Sequence, residues 1–288
     1  MKILVLGSNG LLGSYFCKSR DNIGHEILEY NRNLYPAIDF LKPNSVIKLL
    51  EEEKPEIVIN CAAITSFEYC EKSYDSALQV NAKTPSEISK YCSRIGAKFI
   101  HISTDHYYLG KERIAHTEED KISLLNNYAI TKHHGEQLIL ENSHSLILRT
   151  AIVGRTPQKR TFLDWLTNAI ETRETVNLYE DSFTSFIHCN QLSKVIFELL
   201  TLDIHGIYNV GCADVFSKAE FCLQFAERLN HDLDHNLTKK PNLQDINKSS
   251  SCGLSSAKLI NEFSVKVPTL KEVIEECALD TLGKLPIK

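Results

Sequence analysis

The sequence predicts an α/β fold in which a doubly wound parallel sheet is followed by a smaller lobe. Short apolar runs alternate with helical patterns through the first 150 residues, and the alternation loosens afterwards. Several apolar runs have no polar interruption, which is typical of strands buried on both faces of a parallel sheet. Repeated strand, helix and strand indicate βαβ units. We therefore expect a core domain over residues 1–150, to which later segments return, and mainly a second lobe over residues 151–288.

The predicted strands of the core domain are five short runs, at residues 3–6, 26–30, 56–60, 98–102 and 145–148. The helical patterns between and after them cover residues 11–20, 44–53, 74–95 and 126–142. Pro43 stands near a predicted helix start and Pro55 just after a helix end, two positions where proline is tolerated. Gly96 is expected to end the long third helix.

The elements of the second half alternate less regularly. Helices are predicted at residues 161–172, 191–200, 217–229, 255–263 and 269–282. Strands are predicted at residues 176–179, 185–188 and 206–211, and a polar surface loop at residues 230–251. Ser217, with Glu220 three residues later, is typical of a capping box at a helix start.

Composition and charge exclude several classes of protein. The chain has 288 residues, 43% of them hydrophobic, and a formal net charge of −5, so we expect no general attraction to nucleic acid or to anionic membranes. No stretch approaches the roughly 20 apolar residues of a membrane span. The nine cysteines are scattered without a CxxC pair, which favours a reducing cytoplasm over a disulfide or zinc scaffold. We expect no metal site.

A glycine-rich turn, Gly7-x-x-Gly10-x-x-Gly13, follows the first predicted strand and opens the first predicted helix. Glycine permits a tight turn and a close approach of backbone to a pyrophosphate, and the helix start offers free N–H groups. The motif alone is weak, and an ordinary strand-to-helix turn is the alternative. Its position between strand and helix favours a Rossmann-type dinucleotide-binding domain. The predicted cofactor contacts in this turn are Gly7, Asn9, Gly10, Leu11, Leu12 and Gly13.

The end of the second strand bears on which dinucleotide is bound. NAD-selective sites usually carry an acid there, which holds the ribose hydroxyls. This strand ends Tyr30-Asn31-Arg32, and the Arg32 guanidinium could pair with a 2′-phosphate. We therefore favour NADP(H) over NAD(H), with Asn31 and Arg32 as contacts; a solvated Arg32 is the alternative. Asp39 and Phe40 are predicted to lie near the adenine, with a plain surface turn as the alternative.

Tyr128 and Lys132 stand four residues apart in a predicted helix, so their side chains share one face. A lysine ammonium beside a phenol favours the phenolate, and such a tyrosine can give a proton to a substrate oxygen. Ser103 and Thr104 follow an apolar strand, at the sheet edge where open α/β sheets bind ligands. We therefore predict a hydride-transfer site whose catalytic residues are Thr104, Tyr128 and Lys132. The predicted substrate contacts are Ser103, Thr104, Asp105 and Tyr128, and Tyr128 and Lys132 also contact the cofactor.

Other polar features are less specific. The small residues Cys61, Ala62 and Ala63 end the third strand, as if backbone passes close to a ligand there, and we predict that they contact the cofactor; a tight strand-to-loop transition is the alternative. Asn81 is mildly unfavourable inside a helix and is expected to hydrogen-bond either a loop or the backbone of the active site. His101 is expected to be a packed strand residue.

Together these residues resemble the extended short-chain dehydrogenase/reductases, and within them the sugar-nucleotide reductases of the dTDP-4-dehydrorhamnose reductase type. The similarity runs over nearly the whole chain. Besides the glycine turn, it includes the segments Asn60-Cys61-Ala62-Ala63, Cys70-Glu71, Val80-Asn81-Ala82, His101-Ile102-Ser103-Thr104-Asp105, Tyr128-x-x-Thr131-Lys132-x-x-Gly135-Glu136, Leu148-Arg149-Thr150, Lys240-Pro241 and Leu254-Ser255-Ser256-Ala257-Lys258-Leu259. The resemblance implies a Rossmann domain, a nicotinamide cofactor and a Thr–Tyr–Lys site, carried over onto Thr104, Tyr128 and Lys132.

The implied activity is reduction of a 4-keto-6-deoxy sugar carried on a nucleoside diphosphate, in deoxysugar or polysaccharide biosynthesis. The second lobe would then bind the sugar nucleotide. The sugar half departs from the family, since the loop after Asp105 reads His106-Tyr107-Tyr108-Leu109-Gly110 where the family usually has Tyr-Val-Phe-Asp-Gly. Two alternatives stay open: an NAD-dependent sugar-nucleotide epimerase, and a non-catalytic NADP-binding regulatory subunit. A homodimer is compatible with the sequence.

Overall fold

The computed structural model describes residues 1–19, 21, 23–108, 112–141, 144–157, 160–239, 250–283 and 285. The chain divides into two compact units. The first unit comprises Met1–Thr104, Leu124–Arg149 and Ile196–Tyr208. The second unit comprises Asp105–Ser123, Thr150–Val195 and Asn209–Lys288. Each unit therefore draws on both halves of the sequence.

The strands, in chain order, are β1 (Lys2–Leu6), β2 (Glu26–Tyr30), β3 (Ile57–Asn60), β4 (Lys98–Ile102), β5 (Ser145–Thr150), β6 (Ile152–Val153), β7 (Val176–Tyr179), β8 (Phe183–Thr184), β9 (Ile187–His188), β10 (Gly206–Val210), β11 (Phe216–Ser217), β12 (His235–Thr238) and β13 (Ser251–Cys252). The helices are α1 (Leu11–Lys18), α2 (Pro43–Glu53), α3 (Phe67–Lys72), α4 (Tyr74–Leu78), α5 (Thr84–Ile95), α6 (Asn127–Leu140), α7 (Phe162–Thr172), α8 (Cys189–Leu199), α9 (Lys218–Arg228), α10 (Ala257–Phe263) and α11 (Leu270–Thr281). A π-helical turn, Gln79–Lys83, joins α4 to α5.

A six-stranded sheet in the order β10-β5-β4-β3-β1-β2 forms the centre of the fold. The neighbouring pairs from β2 through β5 are parallel. The strand order reverses beside β1, with β2 on one side and β3 on the other, as in a doubly wound sheet. The predicted α/β class is confirmed, and β10 is a late segment that returns to the sheet.

Register brings the strand ends into one row. Leu6 lies opposite both Tyr30 and Asn60, and Asn60 lies opposite His101. Because parallel strands end at the same edge, the segments that follow β1, β3 and β4 start side by side. This edge is where the sequence places the glycine turn, the small residues after β3, and Ser103-Thr104.

Apolar side chains of the sheet pack against the helices that connect the strands. One buried cluster joins strand residues to residues of α2, α5 and α6, and its members include Leu4, Leu6, Val58, Phe99, Ile147, Val46, Leu50, Ile88, Tyr91 and Ile139. Burying such side chains gives roughly 1.5–3 kcal/mol each, which fixes the helices on the sheet.

The helix predicted at residues 74–95 has these bounds, but it is not a regular α-helix throughout. The chain forms α4, the π-helical turn and α5 instead, and the unpredicted α3 precedes them. Pro85 lies in the first turn of α5 and has no N–H to give to the carbonyl of Asn81, four residues earlier. Hydrophobic periodicity does not register such a local change in helix pitch.

The second unit contains smaller sheets: β11-β8-β13, β12-β7 and β6-β9. The capping box predicted at Ser217 is present, since Glu220 N–H donates to the Ser217 hydroxyl and the Glu220 carboxylate accepts from Ser217 N–H. The strand predicted at residues 185–188 is shorter than expected, with only Ile187–His188 in β9. In the described part of the chain, no helix has both the length and the apolar character needed to cross a membrane.

Candidate active site

The glycine turn is a backbone structure that side chains would obstruct. Gly7 has a φ of 82°, which favours glycine, and a Cβ on it would stand 2.8 Å from Ala62 N. A Cβ on Gly13 would stand 2.3 Å from Gly7 O, so α1 packs directly on the turn. Gly10 precedes α1 as its N-cap and supplies no side-chain cap. The turn therefore has the close-packed form and the uncapped helix start that a pyrophosphate needs.

The other predicted residues of the turn have different surroundings. The Leu12 side chain is buried, whereas Asn9 and Leu11 are partly exposed. Asn31 at the end of β2 donates from Nδ2 to the Ser8 hydroxyl at 2.9 Å, and its Oδ1 accepts from the N–H of Asn33. Asn31 thus ties β2 to the glycine turn.

Arg32 and the two predicted adenine residues lie beyond β2. The Arg32 side chain is exposed. Asp39 accepts from the N–H of Leu41, a local turn contact. Phe40 is partly buried against the sheet's apolar cluster, and its carbonyl accepts from the Thr84 hydroxyl at 2.6 Å. The roles of Arg32, Asp39 and Phe40 towards the cofactor stay predictions.

Tyr128 lies in the first turn of α6, which starts at a well-formed cap. The Asn126 side chain accepts from the N–H of Ala129 at 2.8 Å. Tyr128 is 8% exposed, and its ring meets the Phe67 ring edge to face, with centroids 5.3 Å apart. The cap and the ring contact hold the phenol in place at the start of the helix.

Lys132 lies one turn further along the same face and is 1% exposed. Its Nζ donates to the carbonyl of Ile102 at 2.7 Å and lies 2.9 Å from Nε2 of His101. His101 Nδ1 lies 3.1 Å from Nδ2 of Asn60, and Asn60 Oδ1 accepts from the N–H of Ala62. We call Lys132, His101 and Asn60 the lysine cluster. It joins α6 to the ends of β3 and β4.

Burial dominates the electrostatics of the lysine cluster. It lowers the pKa of Lys132 from 10.5 to about 8, against the opposing effects of Glu136 and Cys61. Burial, together with the Lys132 charge, holds the pKa of His101 well below its usual range, so this imidazole is neutral. Burial raises the pKa of the Cys61 thiol to about 12. The lysine is therefore the group of this cluster that titrates near neutral pH.

A second buried cluster, the glutamate cluster, consists of Glu136, Arg149 and Ser103. The Arg149 guanidinium donates to both carboxylate oxygens of Glu136, from Nε at 3.1 and 3.2 Å and from Nη2 at 2.8 Å. The Ser103 hydroxyl donates to Oε1 at 2.5 Å. Burial alone would raise the pKa of Glu136, but the His133 ring, whose Nδ1 lies 3.7 Å from Oε2, the Arg149 charge and the Ser103 hydroxyl outweigh it and hold this pKa at about 2.

The predicted substrate residues Ser103 and Thr104 stand at the carboxyl end of β4. Ser103 and Thr104 directly follow β4, and both are buried. Ser103 N–H donates to the carbonyl of Leu148, while its hydroxyl is bonded within the glutamate cluster. Asp105 begins the part of the chain assigned to the second unit. Residues 109–110 of the aromatic loop and the Lys240-Pro241 segment lie outside the described residues.

Sequence reasoning missed the partners of the two clusters. The sequence predicts only that His101 packs in its strand, whereas both of its ring nitrogens contact polar groups. The signal was a polar residue inside an otherwise apolar strand, since buried polar groups require partners. The expectation for Asn81 is confirmed, because its side chain bonds both the N–H and the carbonyl of Ile64 and also the Thr131 hydroxyl.

Known proteins resemble the chain over most of its length. It matches the model of a family described as RmlD substrate binding domain over residues 1–282. The probable low-salt glycan biosynthesis reductase Agl14 of Haloferax volcanii is 26% identical over 289 residues, with 94% of this chain and 95% of that protein covered. A dTDP-4-dehydrorhamnose reductase of Burkholderia thailandensis is 29% identical over 184 residues, with 64% of this chain and 60% of that protein covered.

A solved structure supports the fold. The dTDP-4-dehydrorhamnose reductase from Bacillus anthracis in complex with NADP superposes with a TM-score of 0.86 at 22% identity, with 98% of each chain covered. The chain belongs to the RmlD substrate binding domain family. Its predicted resemblance and its predicted class, an NAD(P)-dependent oxidoreductase, are confirmed.

Proposed function

We propose that this member of the RmlD substrate binding domain family reduces the keto group of a nucleotide-linked 4-keto-6-deoxy sugar with hydride from NADPH. One observation carries the proposal: Tyr128 and Lys132 share one face of α6, and the Lys132 Nζ lies 2.7 Å from the Ile102 carbonyl at the end of β4. The proton donor and its lysine thus stand at the sheet edge that also carries the glycine turn. The relatives named as reductases of such sugars support the same assignment.

Each catalytic residue has a distinct role. NADPH supplies the hydride when it is bound. Tyr128 gives its phenolic proton to the C4 oxygen of the substrate as that oxygen gains negative charge. Thr104 orients the same oxygen by a hydrogen bond. Lys132 stabilises the phenolate that remains on Tyr128 and would also hold the nicotinamide ribose of the bound cofactor. The second unit binds the sugar nucleotide.

The chain's own residues fit a dinucleotide. Gly7 and Gly13 leave no room for a Cβ, so the turn presents backbone at the start of α1. At the end of β2, the exposed Arg32 favours the 2′-phosphate of NADP(H). The relative from Bacillus anthracis was solved with NADP, which supports the same preference. In the described part of the chain, all nine cysteines are thiols outside disulfides, which supports a reducing cytoplasm as the setting of the reaction.

The test is NADPH oxidation with a dTDP-4-keto-6-deoxy sugar generated in situ, for the wild type, Tyr128→Phe and Tyr91→Phe. Tyr91 is also a mostly buried helical tyrosine of the first unit, and it serves as the matched control. We expect kcat of Tyr128→Phe to fall by about 10²–10⁴-fold, since the proton donor is lost. We expect Tyr91→Phe to keep its kcat, and NADH to replace NADPH poorly in the wild type.

Two outcomes would contradict the proposal. Full turnover by Tyr128→Phe would remove the tyrosine from the proton transfer. Absence of turnover in a wild-type protein that binds NADPH would favour another sugar nucleotide, or the regulatory subunit. An epimerase would instead interconvert sugar nucleotides without net oxidation of NADPH.

A further inference from the structure

The orientation of the Asn60 side chain is set by the backbone. Asn60 Oδ1 accepts from Ala62 N–H at 3.1 Å, so the amide nitrogen Nδ2 faces His101 Nδ1, also at 3.1 Å. An amide NH₂ only donates, and therefore Nδ1 of His101 accepts. His101 is neutral, so its one ring proton sits on Nε2. The backbone of Ala62 thus selects a tautomer in the next strand.

The tautomer of His101 determines the protonation state of Lys132. His101 Nε2 lies 2.9 Å from Lys132 Nζ, and Nζ also donates to the Ile102 carbonyl. An N–H on Nε2 needs a lone pair on Nζ. An ammonium has three donors and no lone pair, whereas an uncharged amine has one. With Asn60 bonded to Ala62, all contacts of the cluster are satisfied only when Lys132 is an amine.

The opposite arrangement needs one rotation. If the Asn60 amide turns by half a turn, Oδ1 faces His101 and accepts from a proton on Nδ1. The lone pair on Nε2 then accepts from a Lys132 ammonium, and Ala62 N–H loses its acceptor. The two arrangements differ by one proton gained at Nζ, a move of the imidazole proton from Nε2 to Nδ1, and one backbone hydrogen bond.

We propose that His101 and Asn60 are positioning residues that couple the charge of Lys132 to the backbone at Ala62. The amine state keeps Ala62 N–H bonded to Asn60, and the ammonium state releases it. Ala62 N would stand 2.8 Å from a Cβ on Gly7, so the released N–H belongs to the loop packed on the glycine turn. Only the catalytic role of Lys132 is taken from the proposed function.

Other ionisable groups also bear on Lys132. Glu136, one turn later on α6, and Cys61, after β3, favour the ammonium, whereas burial favours the amine. Tyr128 stands one turn earlier on the same face. Because these influences oppose one another, both states lie within reach between neutral and mildly alkaline pH. The orientation of the Asn60 amide and the tautomer of His101 then change together with the charge of Lys132.

The experiment is an NMR titration of the full-length protein with isotope-labelled histidine and lysine, from about pH 6 to about pH 10. His101→Gln and Lys132→Arg assign the two side-chain signals by their loss. We expect His101 to carry its proton on Nδ1 at low pH and on Nε2 at high pH, with the same midpoint as the Lys132 methylene signal. One tautomer throughout, while Lys132 titrates, would overturn the proposal.

Asn60→Asp provides a second test. A carboxylate accepts from both Ala62 N–H and His101 Nδ1–H, so we expect His101 to keep its proton on Nδ1 at every pH. We also expect the acid dissociation constant of Lys132 to fall by about tenfold or more, which corresponds to a rise of its pKa by about one unit or more. Asn44→Asp adds the same charge at an exposed position of α2 and should change neither signal. Tautomer exchange that persists in Asn60→Asp would contradict the coupling.

These readouts need no turnover. A protein with coupled titrations but no reductase activity would refute the proposed function alone. An active reductase with a fixed His101 tautomer would refute the coupling alone.

Discussion

Two buried polar clusters lie at the end of β4, and their residues on α6, Lys132 and Glu136, are one helical turn apart. The two clusters have opposite effects on the ionisation of these side chains. In the glutamate cluster, Glu136 faces the Arg149 guanidinium, and its pKa is held at about 2. In the lysine cluster, Lys132 contacts a carbonyl and a neutral imidazole, and its pKa falls to about 8. The first arrangement fixes a charge, and the second keeps a proton exchangeable near neutral pH.

The largest effect is expected when Arg149, the cation that pairs with Glu136, is removed. Arg149→Met leaves Glu136 buried without its cation, and we expect the free energy of unfolding to fall by about 3–5 kcal/mol. Denaturant unfolding at neutral pH measures it. The pair Lys72–Glu68 of the first unit is an exposed ion pair, so Lys72→Met should change stability by less than about 1 kcal/mol.

A double variant separates loss of charge balance from loss of packing. Glu136→Leu combined with Arg149→Met removes both charges, and most of the lost stability should return. A double variant as unstable as Arg149→Met alone would show that packing of the arginine, and not its charge, holds this region.

Ser103 distinguishes the glutamate cluster from the substrate site. Because its hydroxyl donates to the buried Glu136 carboxylate at 2.5 Å, Ser103→Ala should lower the free energy of unfolding by about 1.5–3 kcal/mol and leave KM for the sugar nucleotide nearly unchanged. Ser86→Ala is the matched control, since that buried hydroxyl makes a long 3.4 Å bond. A raised KM with unchanged stability would instead make Ser103 a substrate contact.

Lys132→Met has the smallest expected effect on stability and the opposite sign. The pKa of Lys132 in the folded protein, about 8, lies below the ordinary 10.5. The destabilising contribution of the buried ammonium therefore has its full size below pH 8. Between those two values the folded protein binds fewer protons than the unfolded chain, and stability rises with pH. After the lost hydrogen bond is deducted, we expect Lys132→Met to gain about 1 kcal/mol near neutral pH.

That gain should disappear as the pH approaches 10.5, and turnover should be lost at every pH. Denaturant unfolding of both proteins over this pH range provides the measurement. A variant less stable than the wild type at neutral pH would mean that Lys132 is part of the structural framework, like Arg149.

The sequence predicted the framework of the fold well, because its signals are local. β2 and β4 have the predicted bounds, since each is a short run closed by polar or turn residues. The face shared by Tyr128 and Lys132 also followed from helical spacing alone. The π-helical turn inside the helix at residues 74–95 did not, because five residues are too few for the spacing of apolar residues to reveal a change of pitch.

The partners inside the site were out of reach for a different reason. Asn60 and His101 are 41 residues apart, and His101 and Lys132 are 31 residues apart, so their contacts depend on strand order and register. A histidine in an apolar strand indicates that some partner exists but does not name it. The same holds for Arg149, which follows the strand predicted at residues 145–148 and whose partner Glu136 cannot be named before the fold is known.

Because of the π-helical turn Gln79–Lys83, the surroundings of Tyr128 depend on the number of residues in this helix. A π turn closes its hydrogen bonds over five residues instead of four, so deleting one residue here would make the helix regular and remove the wide turn that carries Asn81. The Asn81 side chain donates to the Thr131 hydroxyl of α6, between Tyr128 and Lys132. Ala77 of α4 packs in the same buried group as Tyr128 and Cys70. A single-residue deletion far from Tyr128 in sequence would therefore act as an active-site mutation, whereas deletions in the surface loops would not.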